Sequence, residues 1–159
     1  MGVGKSSVAR HLSRLTGRDL IDLDLFIEKR SGKKIASILV NEGEAAFRAV
    51  EAESLRHVLE QTSIPILSLG GGTWTIPENR DLISAHGLTS VWLESTFEHC
   101  WTNIRKSRKK RPLAQNKAAA LELFESRRAV YCLADWHFIV RPDLTSYDIA
   151  RMIAEEIVA

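Results

Sequence analysis

Two rhythms of apolar residues run along the chain, one with the 3.6-residue period of a helix and one of short unbroken runs. Val8, Leu12 and Leu15 recur at i, i+4 and i+7, and Gly17 follows. That spacing predicts a helix over residues 6–16 with a glycine stop. Leu20-Ile21-Asp22-Leu23-Asp24 reads as a short buried strand closing in two acids. Two short helices are expected at 25–30 and 35–40, split by Ser31-Gly32. A longer helix begins near Gly43-Glu44, with Phe47, Val50, Leu55 and Val58 on one side. Residues 64–69 form a second strand, closed by Gly70-Gly71-Gly72. Pro77 opens the next helix at its first position and Gly87 ends it, the usual placement of those two residues. A third strand is expected at 90–93. Ser95-x-x-Glu98 then reads as a capping box before Phe97, Cys100, Trp101 and Ile104, a stripe whose plain reading is core packing. A helix at 117–134, a fourth strand at 137–140 and a final helix at 146–158 complete the chain. Strands alternating with helices imply an open α/β sheet, with ligands at the carboxyl ends of the strands.

Length and charge narrow this picture modestly. The 159 residues suit one domain, large enough to bury about two-thirds of its unfolded surface. A net charge of +2 gives no support for a nucleic-acid or membrane surface. Cys100 and Cys132 lack metal-ligand spacing and read as reduced core residues of a cytoplasmic protein. No apolar run reaches the 18 residues a membrane span needs.

Chemistry concentrates at a few points. Gly2-Val3-Gly4-Lys5-Ser6-Ser7 is the back end of a phosphate-binding loop. Its glycines let backbone N–H groups turn toward an anion, its lysine places a charge on the outer phosphates, and its serine hydroxyl suits Mg²⁺. The competing reading is a plain glycine-containing turn before a helix. Asp22 and Asp24 stand two apart, so on a strand they share a face. Two such acids call for a cation or a hydrogen-bonding ligand, unless they merely lead into a helix cap. Arg48 and Glu51 fall on the apolar side of their helix, as a structural ion pair or as a clamp for a polar ligand. Three glycines after a buried strand permit close approach to a ligand. Six of the seven residues from Arg105 to Arg111 are basic. That run reads as a solvated helix end, a nucleic-acid contact, or a lid whose arginine reaches a transferred phosphate.

Taken together these features resemble the shikimate kinase family over essentially the whole chain. The resemblance is carried by Gly2-x-Gly4-Lys5-Ser6, by Asp22-Leu23-Asp24 with Ile27-Glu28-x-Arg30-x-Gly32, and by Gly43-Glu44-x-x-Phe47-Arg48-x-x-Glu51. It continues through Gly70-Gly71-Gly72, Arg111-Pro112-Leu113, and Arg127 four residues before Tyr131. The resemblance implies a three-layer α/β sandwich with a parallel sheet, of the P-loop, nucleoside-monophosphate-kinase type. It implies one kinase domain over 1–159, with shikimate-binding helices at about 25–60 and a lid at about 106–118. The implied reaction is ATP-dependent phosphorylation of the shikimate 3-hydroxyl, with Mg²⁺, in a cytoplasmic monomer that binds neither nucleic acid nor membrane.

By the same resemblance Gly2, Val3, Gly4, Lys5, Ser6, Ser7 and Arg111 would hold ATP, and Ser6 and Asp22 the metal. Lys5, Asp24 and Arg111 would be catalytic. Asp24, Arg48, Glu51, Gly70, Gly71 and Arg127 would bind shikimate. Arg128 leaves open which arginine of the pair points inward, and Ala129 stands where the family usually has proline. The alternatives are a gluconate or nucleotide kinase on the same fold, or a remnant with impaired catalysis. The remnant reading arises because the loop's first glycine and its feeding strand, central in such a sheet, are missing before Met1. Two inner strand edges would then lack a partner. Residues 1–159 alone are expected to be unstable or inactive, the natural start lying some ten or more residues earlier.

Overall fold

A computed structural model of the chain describes residues 3–61, 66–106 and 116–158. Helix α1 (Lys5–Thr16) follows Gly4, whose φ of 87° a side chain would resist. Its apolar stripe, Val8, Ala9 and Leu12, is buried, and Gly17 closes it in the left-handed conformation.

Strand β1 (Leu20–Asp22) is shorter than the sequence pattern suggests. Asp22 is the cap of helix α2 (Leu23–Ser31), its carboxylate accepting a bond from the Leu25 backbone N–H at 3.2 Å. A carboxylate that satisfies an orphan N–H starts a helix rather than extending a strand. Asp24 therefore lies in the first turn of α2, and the two acids do not share a strand face. Helices α3 (Ile35–Asn41) and α4 (Glu44–Leu59) follow as the periodicity predicts.

Strand β2 (Ile66–Ser68) pairs parallel with β1, Leu20 opposite Ile66 and Asp22 opposite Ser68. After the glycines comes a 3₁₀ turn at Thr73–Thr75, then α5 (Pro77–Ala85) with proline at its first position. Strand β3 (Val91–Glu94) is followed by α6 (Phe97–Lys106). Thr96, not Ser95, caps α6, its hydroxyl accepting from the His99 N–H at 3.2 Å. Ser95 is one residue too early, and its hydroxyl instead donates to the Val140 carbonyl at 3.1 Å. Helix α7 (Lys117–Tyr131) leads to strand β4 (Trp136–Ile139), parallel to β3. The Asp135 carboxylate accepts from both the backbone and the hydroxyl of Ser90, which pins the start of that pair. Helix α8 (Ser146–Ile153), with a Thr145/Asp148 capping box, runs on into a π-helical turn at Ala154–Val158.

Among the described residues the sheet exists as two parallel halves, β1–β2 and β3–β4. Strand β2 shows how helices cover both faces, because neighbouring side chains point opposite ways. Leu67 packs with Leu23, Ile27, Phe47, Leu55 and Val58 of α2 and α4. Ile66 packs with Val8, Leu12, Phe138, Ile149 and Ile153 on the side of α1 and α8. Burial of each large apolar side chain stabilises by about 1.5–3 kcal/mol, so both cores hold the layers. Of the two cysteines, Cys100 is buried in α6 but Cys132 is exposed just past α7, where the helix end turns it outward, so the expectation of two core thiols holds only for Cys100.

Candidate active site

The amino ends of α1 and α2 and the carboxyl end of β2 open on one cavity of about 970 Å³. Lys5, Asp24, Arg48, Glu51, Arg127 and Tyr131 all line it, with Gly70, Gly71 and Gly72 forming part of its wall. The Lys5 ammonium reaches across from α1 and donates to the Leu69 carbonyl at the end of β2. Val3, Gly4, Ser6 and Ser7 line the same cavity beside it, at the positive end of the helix dipole. Gly2 and Arg111, both expected at the nucleotide, lie outside the described residues, as does most of the expected lid.

The three glycines have three separate tenants. A β-carbon at Gly70 would sit 2.6 Å from Asp24 Oδ1. One at Gly71 would sit 2.5 Å from Arg127 Nη1, and one at Gly72 would sit 2.2 Å from Arg48 Nη2. Real β-carbons do not come so close to other heavy atoms. The backbone here is bare so that a carboxylate and two guanidinium groups can come close against it. Helices α2, α4 and α7 each supply one of those groups.

Electrostatics sorts the two arginines. Arg48 Nη1 donates to Glu51 Oε1 at 2.9 Å, and the Glu51 carboxylate is 1% exposed. The exposed Glu44 adds a looser contact at 3.5 Å. Among the described residues no acid forms an ion pair with Arg127. Burial pulls its guanidinium below the usual arginine range, Arg48 nearby adds to that, and Tyr131, Glu44 and Glu51 oppose it. Arg48 and Arg127 sit on neighbouring glycines, and two such guanidinium forks suit a small carboxylate ligand. Arg128 is exposed, so Arg127 is the inward member of its pair.

Tyr131 belongs to this wall, although the sequence marks it only as the end of the Arg127 motif and gives it no role there. Its hydroxyl donates to the Gly71 carbonyl, and burial pushes its phenol up, Arg127 pulling the other way. Trp74 donates its indole N–H to the Val130 carbonyl at 3.2 Å, tying the turn after the glycines to α7. Thr73 and Asn79 are not legible as site residues in the sequence, and Gly72 is marked there only as a member of the triplet. The only signal was a polar residue directly after a glycine triplet.

For a metal, the Ser6 hydroxyl and the Asp22 carboxylate are hard oxygen donors. Asp22 spends one oxygen on the α2 cap, leaving the other for further partners. Such a sparse oxygen set fits Mg²⁺, which keeps most of its water and takes phosphate oxygens. A second cavity of about 420 Å³ flanks Gly4 on the side of α6 and α8, lined by His99, Asn103, Thr145 and Ser146.

Comparison with known proteins agrees along the full chain. The sequence pattern of the family described as shikimate kinase matches residues 1–158. The chain is 39% identical over 158 residues to a shikimate kinase of Streptococcus thermophilus, covering 96% of this chain and 93% of that one. It is 38% identical over 162 residues to a shikimate kinase of Vibrio cholerae, covering 99% and 88%. Its fold superposes with a TM-score of 0.87 on shikimate kinase from Acinetobacter baumannii in complex with shikimate, at 31% identity, covering 99% of this chain and 88% of that one. A shikimate kinase from Bacteroides thetaiotaomicron gives the same TM-score at 23% identity, covering 100% and 94%, a likeness of fold.

Proposed function

The chain belongs to the shikimate kinase family, and from that premise we propose how its residues divide the family's work. The reaction is phosphorylation of the 3-hydroxyl of shikimate by ATP, giving shikimate 3-phosphate and ADP on the way to chorismate and the aromatic amino acids. Phosphoryl transfer asks a protein mainly for positioning and for charge on the moving group.

Arg48 and Arg127 grip the shikimate carboxylate, Glu51 holding Arg48 in place, while the backbone at Gly70 and Gly71 forms the floor beneath the ring. Asp24 accepts hydrogen bonds from the shikimate hydroxyls and orients the attacking oxygen, drawing off its proton as the bond to phosphorus forms. Lys5 and the backbone of Gly2, Val3, Gly4, Ser6 and Ser7 hold the ATP phosphates. With three donors on its ammonium, Lys5 can keep the Leu69 carbonyl and still reach a phosphate oxygen. Arg111 closes over the transferred group from a lid at about 106–118, balancing charge and excluding water. Ser6 and Asp22 would hold Mg²⁺, which would supply countercharge to the phosphates. The nucleotide base occupies the smaller cavity beside His99 and Thr145. The helices at 25–60 form the shikimate side of one kinase domain spanning 1–159, acting as a cytoplasmic monomer. Among the described residues no helix is long and apolar enough to cross a membrane.

The observation that carries this reading is the glycine triplet, with Asp24, Arg127 and Arg48 each seated on its own residue. Asp24→Asn tests it, since it keeps the shape and removes the charge. Turnover with shikimate should fall by about 10²-fold. A coupled assay of ADP release with shikimate, gluconate and nucleoside monophosphates should respond to shikimate alone. Near-normal turnover in the variant, or a preference for another acceptor, would overturn the assignment.

A further inference from the structure

Behind the glycine triplet lies a short chain of buried polar groups that the reaction as described leaves without a task. Thr73 follows Gly72 directly and is 0% exposed. Its hydroxyl donates to Glu51 Oε2 at 2.8 Å. The other oxygen of that carboxylate, Oε1, takes the Arg48 guanidinium. Asn79, 2% exposed on α5, donates its side-chain N–H to the Thr73 carbonyl at 3.1 Å. A further bond from the Thr73 N–H to the Gly70 carbonyl, at 3.2 Å, closes the turn.

Glu51 is thus shared between an arginine facing the cavity and a threonine facing the core. A buried carboxylate that accepts from one side only is free to pivot about that bond, and each oxygen left unmatched costs about 1–3 kcal/mol. With both oxygens engaged, the carboxylate plane is fixed, and the guanidinium bonded to it can point only one way. The clearance is small, because the bare backbone at Gly72 is what makes room for Arg48. Thr73 is one residue from Gly72, so the same short segment sets both the floor under Arg48 and the carboxylate that aims it.

We propose that Thr73 is a positioning residue for the shikimate carboxylate, acting through Glu51 on Arg48, and that Asn79 holds Thr73 in register. The inference rests on the assignment of Arg48 to shikimate. Neither Thr73 nor Asn79 touches substrate. Their effect is on how well Arg48 is aimed before the ligand arrives, so it falls on shikimate binding and not on ATP or on the chemical step.

Thr73→Val keeps the β-branched shape and deletes the donor. It should raise the shikimate KM about tenfold, with kcat within about threefold and the ATP KM unchanged. Thr73→Ser should restore the wild-type value. In an Arg48→Ala background the Thr73→Val effect should vanish, a coupling that a purely structural staple would not produce. Should Thr73→Val fail to give a cooperative melt, Asn79→Ala is read the same way, with a smaller rise in shikimate KM expected. A folded Thr73→Val or Asn79→Ala variant with an unchanged shikimate KM overturns the relay while leaving the site assignment intact. An Arg48→Ala variant that binds shikimate normally overturns both.

Discussion

A β-carbon added at Gly71 would meet Arg127 Nη1 at 2.5 Å, and what it meets is the free end of a long side chain. The fold can yield there by moving the guanidinium, but the site cannot. Gly71→Ala is therefore expected to raise the shikimate KM by about tenfold or more, as a displaced fork loses its bidentate contact. The melting temperature should stay within a few degrees, since no backbone has to shift. A steep loss of Tm with normal KM would mean that the glycine serves the turn and not the arginine. Residues of this kind were half legible. The triplet announces close approach, and the inward side of α4 picks out Arg48 and Glu51. Which group lies on which glycine depends on contacts 46 residues apart for Gly70 and Asp24, and no local pattern encodes those. The same holds for Arg127 against Arg128, where periodicity admits both and only packing against Gly71 separates them.

At the scale of elements, the periodic helices were the legible part, and the junctions were not. Asp22 reads equally as the end of a strand or the cap of a helix until one knows whether the Leu25 N–H needs a partner. Capping by Thr96 in place of Ser95 is the same one-residue ambiguity. Helices α6 and α7 carry a consequence for pH. Burial pushes up both the Cys100 thiol on α6 and the Tyr131 phenol on α7. An acid whose folded pKa lies above its unfolded one adds nothing to stability changes while both states keep the proton. Once pH passes the ordinary thiol and phenol ranges, roughly 8.5 and 10, the unfolded chain ionises first and stability falls. Thermal melts should therefore be flat from about pH 6 to 8 on account of these two groups and decline above about pH 9. Tyr131→Phe should remove the later part of that decline. A decline of equal size in the variant would assign it to other groups.

At the scale of the whole molecule, the alternation of strands and helices was enough to give the layered α/β class, and the ordered motifs gave the family. Two inner strand edges without a partner were expected from the sequence, but which strands carry them was not, and among the described residues they are β2 and β3. What could not be read was how fully each half is served by its own core, α2 and α4 under β1–β2, α1 and α8 over β3–β4 and the edge of β2. That division has a consequence for solvent access to the backbone. A parallel strand turns its N–H groups alternately to left and right. Strands β2 and β3 each have one partner among the described residues and both line the large cavity. Deuterium should therefore enter them in a skip-one pattern, fast at amides facing the cavity and slow at those bonded to β1 or β4. Residue-resolved exchange on the unliganded chain should show that alternation along 66–68 and 91–94, and uniform protection there would mean that both flanks of each strand are covered.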